Sequence, residues 1–146
     1  MSAQTLSPVR ILYAEDNFDD VELLRAALEH SPVQIWLDHV ENGVACMEYL
    51  RRARCSHVSL PDLLLLDLNM PVMDGFEVMH AIASDSSLCS LPVVVLTTSS
   101  SPEDVERMYR LRCSSYIRKP LELPAFVRSI ETLIDYWFGV VTLPPR

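Results

Sequence analysis

The hydrophobic positions of this chain form two alternating kinds of segment. Short apolar runs predict buried strands at residues 9–14, 34–40, 61–66, 92–96 and 115–118. Between and after them, apolar residues recur at helical spacing over residues 19–30, 43–54, 75–84, 101–111 and 123–137. Five alternating strands and helices predict an α/β domain with a parallel sheet covered by helices on both faces.

Local signals support several of these boundaries. Pro32 prevents the first helix from continuing, because proline cannot be accommodated in a helix interior. Ser101 is a candidate N-cap, followed by Pro102 at the first helical position and by acids in the first turn. The run at 61–66 is the most apolar in the chain and fits a central strand covered on both faces.

The overall composition narrows the class of protein. A chain of 146 residues that is 49% hydrophobic is long enough for one domain with a substantial core. No apolar run approaches the roughly 20 residues needed to cross a bilayer, and residues 1–8 lack the pattern of a secretory signal. We therefore expect a cytoplasmic protein that does not associate with membranes. The net charge of −8 disfavours nucleic-acid binding.

The spacing of the cysteines and the presence of a single lysine are informative for different reasons. Cys46, Cys55, Cys89 and Cys113 have no metal-motif spacing, so we expect free, buried thiols. Of the twelve basic residues, Lys119 alone is a lysine. A single lysine among arginines arises by chance or marks a site that needs a compact ammonium group.

Polar side chains follow four of the predicted strands. Glu15 and Asp16 follow the first strand, Asp67 ends the third, and Thr97 and Lys119 follow the fourth and fifth. Ligands of open α/β sheets bind beyond the carboxyl ends of the strands, so these groups are expected to converge on one site.

The chemistry of such a site follows from its charges. Three neighbouring carboxylates repel one another, and a divalent cation such as Mg²⁺ removes that repulsion through oxygen ligands. The backbone carbonyl of Asn69 could complete the protein ligands. Asp67 is then a plausible nucleophile toward phosphorus, because a carboxylate can form an aspartyl-phosphate. Mg²⁺ and Lys119 would neutralise charge on the transferred group.

Each of these residues also has an ordinary structural explanation. Glu15 and Asp16 could cap the next helix, Asp67 could form a turn, and Thr97 could simply end a strand. Lys119 could lie in a surface turn before Pro120. Because all of these residues lie at the ends of predicted strands, a common functional site explains them better than four unrelated structural roles.

The segments that carry these residues resemble response-regulator receiver domains. The matching stretches are ILYAEDN at 11–17, LLLDLNMPVMDG at 64–75, PVVVLT at 92–97 and YIRKP at 116–120. The resemblance covers about residues 8–138 and leaves 139–146 as a short tail without an output domain. It implies a flavodoxin-like, doubly wound (βα)5 fold with strand order 2-1-3-4-5.

The resemblance also implies a role for each site residue. Asp67 would be the phosphoacceptor, forming a 4-aspartylphosphate, with Lys119 contacting the phosphoryl oxygens. Mg²⁺ would be held by Glu15, Asp16, Asp67 and the backbone carbonyl of Asn69. Thr97 and Tyr116 would be the switch residues, and the peptide bond before Pro120 would be cis. Asn69 and Ser99 lie where receivers tune the phosphoryl lifetime, which the sequence does not give.

A narrower resemblance involves the C-terminal segment. The stretches DYWF at 135–138 and VVTLP at 140–144 are similar to the ends of small response regulators partnered with bacterial phytochromes. This implies a sensor histidine kinase, of the bacteriophytochrome type, as the phosphoryl donor. The signal sensed and the downstream output are not specified by the sequence.

The apolar tail suggests an interface. Its side chains lie off the core stripe of the last helix, and exposed apolar surface of this extent is typical of contact surfaces. We expect a symmetric homodimer through the face made by the fourth helix, fifth strand and fifth helix. The candidate residues are Met108, Tyr109, Tyr116, Trp137 and Phe138. The alternative is a tail that folds back over its own domain.

Two other functions are consistent with parts of the pattern. A phosphatase of the haloacid dehalogenase type would also use an aspartyl nucleophile, but it requires a second acid where Asn69 stands. A phosphorylation-independent interaction module would have lost an acid or Lys119, and neither is lost. We therefore expect a phosphorylated signalling domain that is not an enzyme.

Overall fold

The computed structural model describes residues 8–55 and 60–145. The five strands are β1 (Val9–Ala14), β2 (Ile35–Val40), β3 (Leu63–Leu66), β4 (Val93–Thr97) and β5 (Ser115–Arg118). The α-helices are α1 (Phe18–Leu28), α2 (Gly43–Cys55), α3 (Gly75–Ala83), α4 (Pro102–Arg110) and α5 (Leu123–Asp135), followed by a π-helix at Tyr136–Val140. All five predicted strand–helix units are therefore present.

The strands form one parallel sheet in the order β2-β1-β3-β4-β5. This confirms the predicted flavodoxin-like α/β fold. The chain turns from β1 outward to β2 and then returns across the sheet to β3, so β1 and β3 are neighbours. Their register pairs Leu12 with Leu64 and Ala14 with Leu66. A crevice opens beyond the carboxyl ends of strands at such a reversal.

Two apolar cores lie on the two faces of the sheet, and consecutive strand residues alternate between them. Leu64 and Leu66 point into a core that also contains side chains of α2, α3 and α4. Leu63 and Leu65 point into the other core, which is lined by α1 and α5. The unbroken leucine run of β3 follows from its position in the sheet, since both of its faces are covered.

The observed helix starts follow the predicted chemistry. Ser101 is the N-cap of α4, where its side chain accepts a hydrogen bond from the Asp104 N–H, and Pro102 occupies the first turn. The α3 helix begins with a capping box, in which Asp74 and Glu77 each accept from the other's backbone N–H. Such reciprocal bonds satisfy N–H groups that have no partner within the helix.

The end of the last helix differs from the prediction of a regular helix to residue 137. The α-helical part ends at Asp135, and the chain continues as a π-helix with a Val141 N–H bond to the Tyr136 carbonyl at 2.9 Å. Trp137 and Phe138 pack partly against the core of their own domain. Beyond them, Pro144 and Pro145 line a cavity together with Pro61 and Pro92. Part of the tail thus folds back, as the alternative interpretation held.

The cysteine prediction is only partly right. Cys46 and Cys113 are buried, but Cys55 and Cys89 are exposed, because one ends α2 and the other lies in the loop before β4. All four are free thiols. Among the described residues, no helix is long and apolar enough to cross a membrane. Residues 1–7, which bear on the predicted absence of a signal sequence, lie outside the described part of the chain.

Candidate functional site

Three acids meet at the carboxyl edge of the sheet. Glu15 and Asp16 follow β1, and Asp67 follows β3, which is the neighbouring strand. One carboxylate oxygen of each lies within 4.8 Å of the others. Glu15 and Asp67 are almost fully buried, whereas Asp16 is exposed. The predicted acidic cluster is therefore formed by the parallel pairing of β1 and β3.

Glu15 is the most enclosed member of the cluster. Its side chain is only 1% exposed, and burial raises the pKa of Glu15 to about 7, although Lys119 opposes this and the charge of Asp67 adds to it. The Tyr13 hydroxyl donates to Glu15 Oε1 at 3.1 Å. His39 on β2 bonds the Glu15 backbone carbonyl through Nε2 at 2.6 Å. These contacts hold the carboxylate in one orientation.

Lys119 brings a positive charge to the acids. It is 6% exposed, and its ammonium donates to Glu15 Oε1 and, at 2.8 Å, to Asp20 Oδ2. Burial works to lower the pKa of Lys119. Hydrogen bonds to Asp20 and Glu15, together with the charge of Asp67, outweigh burial and leave that pKa raised. The lysine therefore stays charged inside the site.

Thr97 is the last residue of β4, and Tyr116 is in the neighbouring strand β5, where it pairs with Val95. Thr97 is fully buried, and its hydroxyl accepts from the Ser99 N–H at 3.4 Å. The Thr97 carbonyl accepts from the Lys119 N–H at 2.6 Å, which ties the two strand ends together. The Tyr116 hydroxyl donates to the Ser99 carbonyl at 2.9 Å, and its ring is half-buried against the α2–α3–α4 core.

Several predicted residues lie elsewhere or differ in detail. Met108 is fully buried in the core, so its assignment to an interface is wrong: it faces inward and is the single buried residue of α4. Tyr109, the next residue, is 49% exposed. Asn69 is exposed two residues after Asp67. The described residues contain no cis peptide bond, so the cis bond before Pro120 is also wrong; trans is the lower-energy isomer.

Two contact residues were not identified from the sequence. Tyr13 is in β1, two residues before Glu15, which directly follows that strand, and the period of two that places both side chains on one face could have revealed it. The second is Asp20 of α1. Its approach to Lys119, 99 residues away in sequence, depends on how α1 packs beside α5 and carries no local signal.

Gly75 allows the first turn of α3 to approach the strand end that carries Asp67. A Cβ atom at this position would lie 2.4 Å from the Asp67 carbonyl oxygen and 2.9 Å from the Leu68 Cα. The Gly75 N–H donates to the Leu68 carbonyl at 2.9 Å. The lack of a side chain at Gly75 thus permits this close packing of α3 against the segment after Asp67.

The donor set fits a divalent cation. Glu15, Asp16 and Asp67 bring three carboxylates to one point, while Lys119 supplies one compensating charge. The raised pKa of Glu15 shows that Lys119 does not fully offset the effects of burial and of the Asp67 charge on this carboxylate. Oxygen donors of this kind suit hard cations such as Mg²⁺, and an exposed Asp16 leaves room for retained water.

A doubly wound sheet with three clustered acids and a buried lysine at its carboxyl edge defines a receiver-type signalling domain. The family model of the response regulator receiver domain matches residues 11–131. The chain belongs to the response regulator receiver family, as the sequence resemblance predicted, and is a two-component signalling protein.

Relatives of similar length support this assignment. Response regulator Rcp1 of Synechocystis sp. is 34% identical over 145 residues, which cover 99% of each chain. The probable methanogenesis regulatory protein FilR2 of Methanothrix harundinacea is 38% identical over 132 residues, or 90% of this chain and 85% of that protein. The family is therefore shared by regulators with different described roles.

Solved structures agree with the fold and with the narrower resemblance. The phosphorylated cyanobacterial phytochrome response regulator RcpA has a TM-score of 0.89 at 37% identity and covers 95% of this chain and 100% of its own. The Mn²⁺-bound form of Rcp1 has a TM-score of 0.87 at 35% identity, with coverage of 94% and 100%. The predicted similarity to phytochrome response regulators is confirmed.

Proposed function

We propose that Asp67 accepts a phosphoryl group from a sensor histidine kinase and that the domain passes on the signal as a change of shape. The observation that carries this proposal is the meeting of Glu15, Asp16 and Asp67 within 4.8 Å beside the buried Lys119. No catalytic turnover on an external substrate is required of such a site, so we expect a signalling protein and not an enzyme.

The phosphoryl transfer can be written with these residues. A carboxylate oxygen of Asp67 attacks phosphorus while the bond from phosphorus to the donor nitrogen breaks. The donor phosphohistidine reacts with its other ring nitrogen protonated, so that the nitrogen keeping the bonding pair leaves as part of a neutral imidazole. Mg²⁺, held by Glu15, Asp16, Asp67 and the Asn69 carbonyl, would neutralise oxygens of the transferred group. Lys119 would donate a hydrogen bond to one of those oxygens.

The switch would start at Thr97. Its hydroxyl is held by a long bond from the Ser99 N–H, and the same loop accepts the Tyr116 hydroxyl through the Ser99 carbonyl. We propose that the Thr97 hydroxyl turns toward the phosphoryl group, that the loop follows, and that Tyr116 loses its bond and turns inward. The surface made by α4, β5 and α5 would then change.

The partner proposal rests on relatives. RcpA is described as a phytochrome response regulator, and a bacteriophytochrome-type histidine kinase is therefore our proposed donor. We propose that the kinase and this chain interact in the cytoplasm. Four free thiols, two of them exposed, support this, because reducing compartments preserve such groups. The net charge of −8 argues against nucleic acid as a partner.

We also propose that the chain forms a homodimer through the α4–β5–α5 face. Tyr109 of α4 is 49% exposed, and Tyr136 and Val140, in the π-helix that follows α5, are 54% and 75% exposed. Trp137 and Phe138 are half-buried against their own core and would contribute only their outer edges. Tyr116 is on the same face, so phosphorylation could bias association.

The assignment of Asp67 is tested by self-phosphorylation. With acetyl phosphate and Mg²⁺, intact-mass analysis should show one phosphoryl adduct on the wild-type chain and none on Asp67→Asn, because the amide is a poor nucleophile. Asp19→Asn, which removes an exposed carboxylate nearby, is the control and should be labelled normally. Equal labelling of Asp67→Asn and the wild type would refute the assignment.

A further inference from the structure

The Lys119 ammonium has two carboxylate partners, and only one of them belongs to the acidic cluster that could bind a cation. Glu15 belongs to the group of three acids that could hold a cation. Asp20 is outside that group, but its Oδ2 atom lies 2.8 Å from Lys119 Nζ. A cation at the site would bind the Glu15 carboxylate and so weaken its ion pair with Lys119. Asp20 would then be the main carboxylate partner of Lys119.

Asp20 is built into position by the start of α1. Asn17 caps this helix, and its side-chain oxygen accepts from the N–H groups of Asp19 and Asp20 at 2.9 and 3.3 Å. The Asp20 side chain is 23% exposed and faces Lys119, whereas Asp19 is exposed and forms no ion pair among the described residues. Two adjacent acids in one turn thus have different roles.

A lysine ammonium has three N–H donors. Glu15 and Asp20 take two of them, and Asp67 acts on Lys119 through its charge. We propose that Asp20 is a positioning residue that anchors Lys119, so that its remaining donor is presented to the phosphoryl group on Asp67. This inference rests on the proposed function of Asp67, and it assigns to α1 a part in the transfer step.

The anchor should affect the rate of transfer more than the binding of the donor. A flexible lysine chain without Asp20 would spread over several rotamers, and loss of orientation lowers the rate of the chemical step. Removing a negative charge near the site should by itself favour an anionic phosphodonor. The Asp19→Asn variant reports that charge effect alone, because it removes the same charge from the same helical turn.

The experiment measures self-phosphorylation of the full chain with acetyl phosphate and Mg²⁺ over a range of donor concentrations. For Asp20→Asn we expect the maximal rate of phosphorylation to fall about 10-fold with little rise in the half-saturating donor concentration, as for other residues that orient a functional side chain. Asp20→Glu should recover part of that rate, and Asp19→Asn should stay near the wild type. The Mg²⁺ dependence of thermal stability should match between Asp20→Asn and Asp19→Asn.

Several results would overturn the inference. Equal maximal rates of phosphorylation for Asp20→Asn and Asp19→Asn would show that Lys119 needs no anchor. An Asp20→Glu variant as slow as Asp20→Asn would show that the carboxylate is not what matters, and weakened Mg²⁺ binding would make Asp20 a metal ligand instead. Circular dichroism establishes folding first, with Asp20→Ser as the second neutral variant. A wild-type chain that is not labelled at all would refute the proposed function itself.

Discussion

At the scale of single residues, Glu15 is where the site lowers the stability of the fold most, because its charged form is buried. Its carboxyl group is buried beside Asp67 and Lys119, and burial raises its pKa from 4.5 to about 7. Between these two values the folded chain holds a proton that the unfolded chain has released. Stability of the metal-free protein therefore falls as pH rises through this window and changes little from Glu15 above it.

This behaviour can be measured by urea unfolding in the presence of EDTA. Relative to Glu15→Gln, the wild type should lose on the order of 3 kcal/mol of unfolding free energy between about pH 4.5 and pH 7. The glutamine variant is the reference because groups distant from Glu15 titrate alike in both proteins, so that their contributions cancel in the difference. Parallel pH curves for the two proteins would contradict the prediction. Mg²⁺ at pH 7.5 should restore stability to the wild type.

At the scale of elements, the site depends on how closely α3 starts against the end of β3. The capping box of Asp74 and Glu77 fixes the first turn, and Gly75 removes the side chain that would collide with the Asp67 carbonyl. Val72, in the same connection, has a φ of 69°, which is unfavourable for a β-branched residue. The segment after Asp67 is therefore held in an unusual conformation by its surroundings.

A pair of glycine substitutions tests this close approach. Gly75→Ala should destabilise the fold by about 2 kcal/mol or more, because backbone atoms 2.4 and 2.9 Å from the new Cβ must move. Gly139→Ala is the matched control: no atom lies within 4 Å of its Cβ, so stability should be unchanged or slightly raised. Similar losses in both variants, measured by urea unfolding, would count against the steric explanation.

At the scale of the whole molecule, one part of the apolar C-terminal segment is packed against the domain and another part is exposed. The inner parts of the C-terminal segment pack on the domain's own core through Trp137 and Phe138. The outer parts, with Tyr136 and Val140, remain exposed, as does Tyr109 of α4. A monomer would leave this surface in water, which is the physical argument for the proposed homodimer.

Sedimentation velocity can test the dimer without removing core residues. The wild type should sediment as a dimer at micromolar concentration, and a Tyr109→Ser, Tyr136→Ser double variant should sediment as a monomer. Trp36→Ser, which replaces a 57% exposed aromatic residue on β2 at the opposite sheet edge, should remain dimeric. A monomeric wild type, or a dimeric double variant, would refute this interface.

Prediction from the sequence succeeded where the signal is local or repeats along the chain. The alternation of apolar runs gave the five strand–helix units, and Ser101 with Pro102 marked the start of α4. It failed where packing decides. The burial of Met108 and the π-helix after Asp135 depend on the neighbours of α4 and α5, which no local pattern specifies.

The sequence by itself determined the class of fold and the chemical groups at the site. Strand ends in a parallel sheet share one edge, so Glu15, Asp16, Asp67 and Lys119 had to converge once the strands were recognised. Only the tertiary structure decided which acids Lys119 contacts and how deeply each is buried. Asp20 became its partner because α1 packs beside α5, which brings together residues 99 positions apart. Contacts of this kind follow from packing geometry and not from any spacing along the chain.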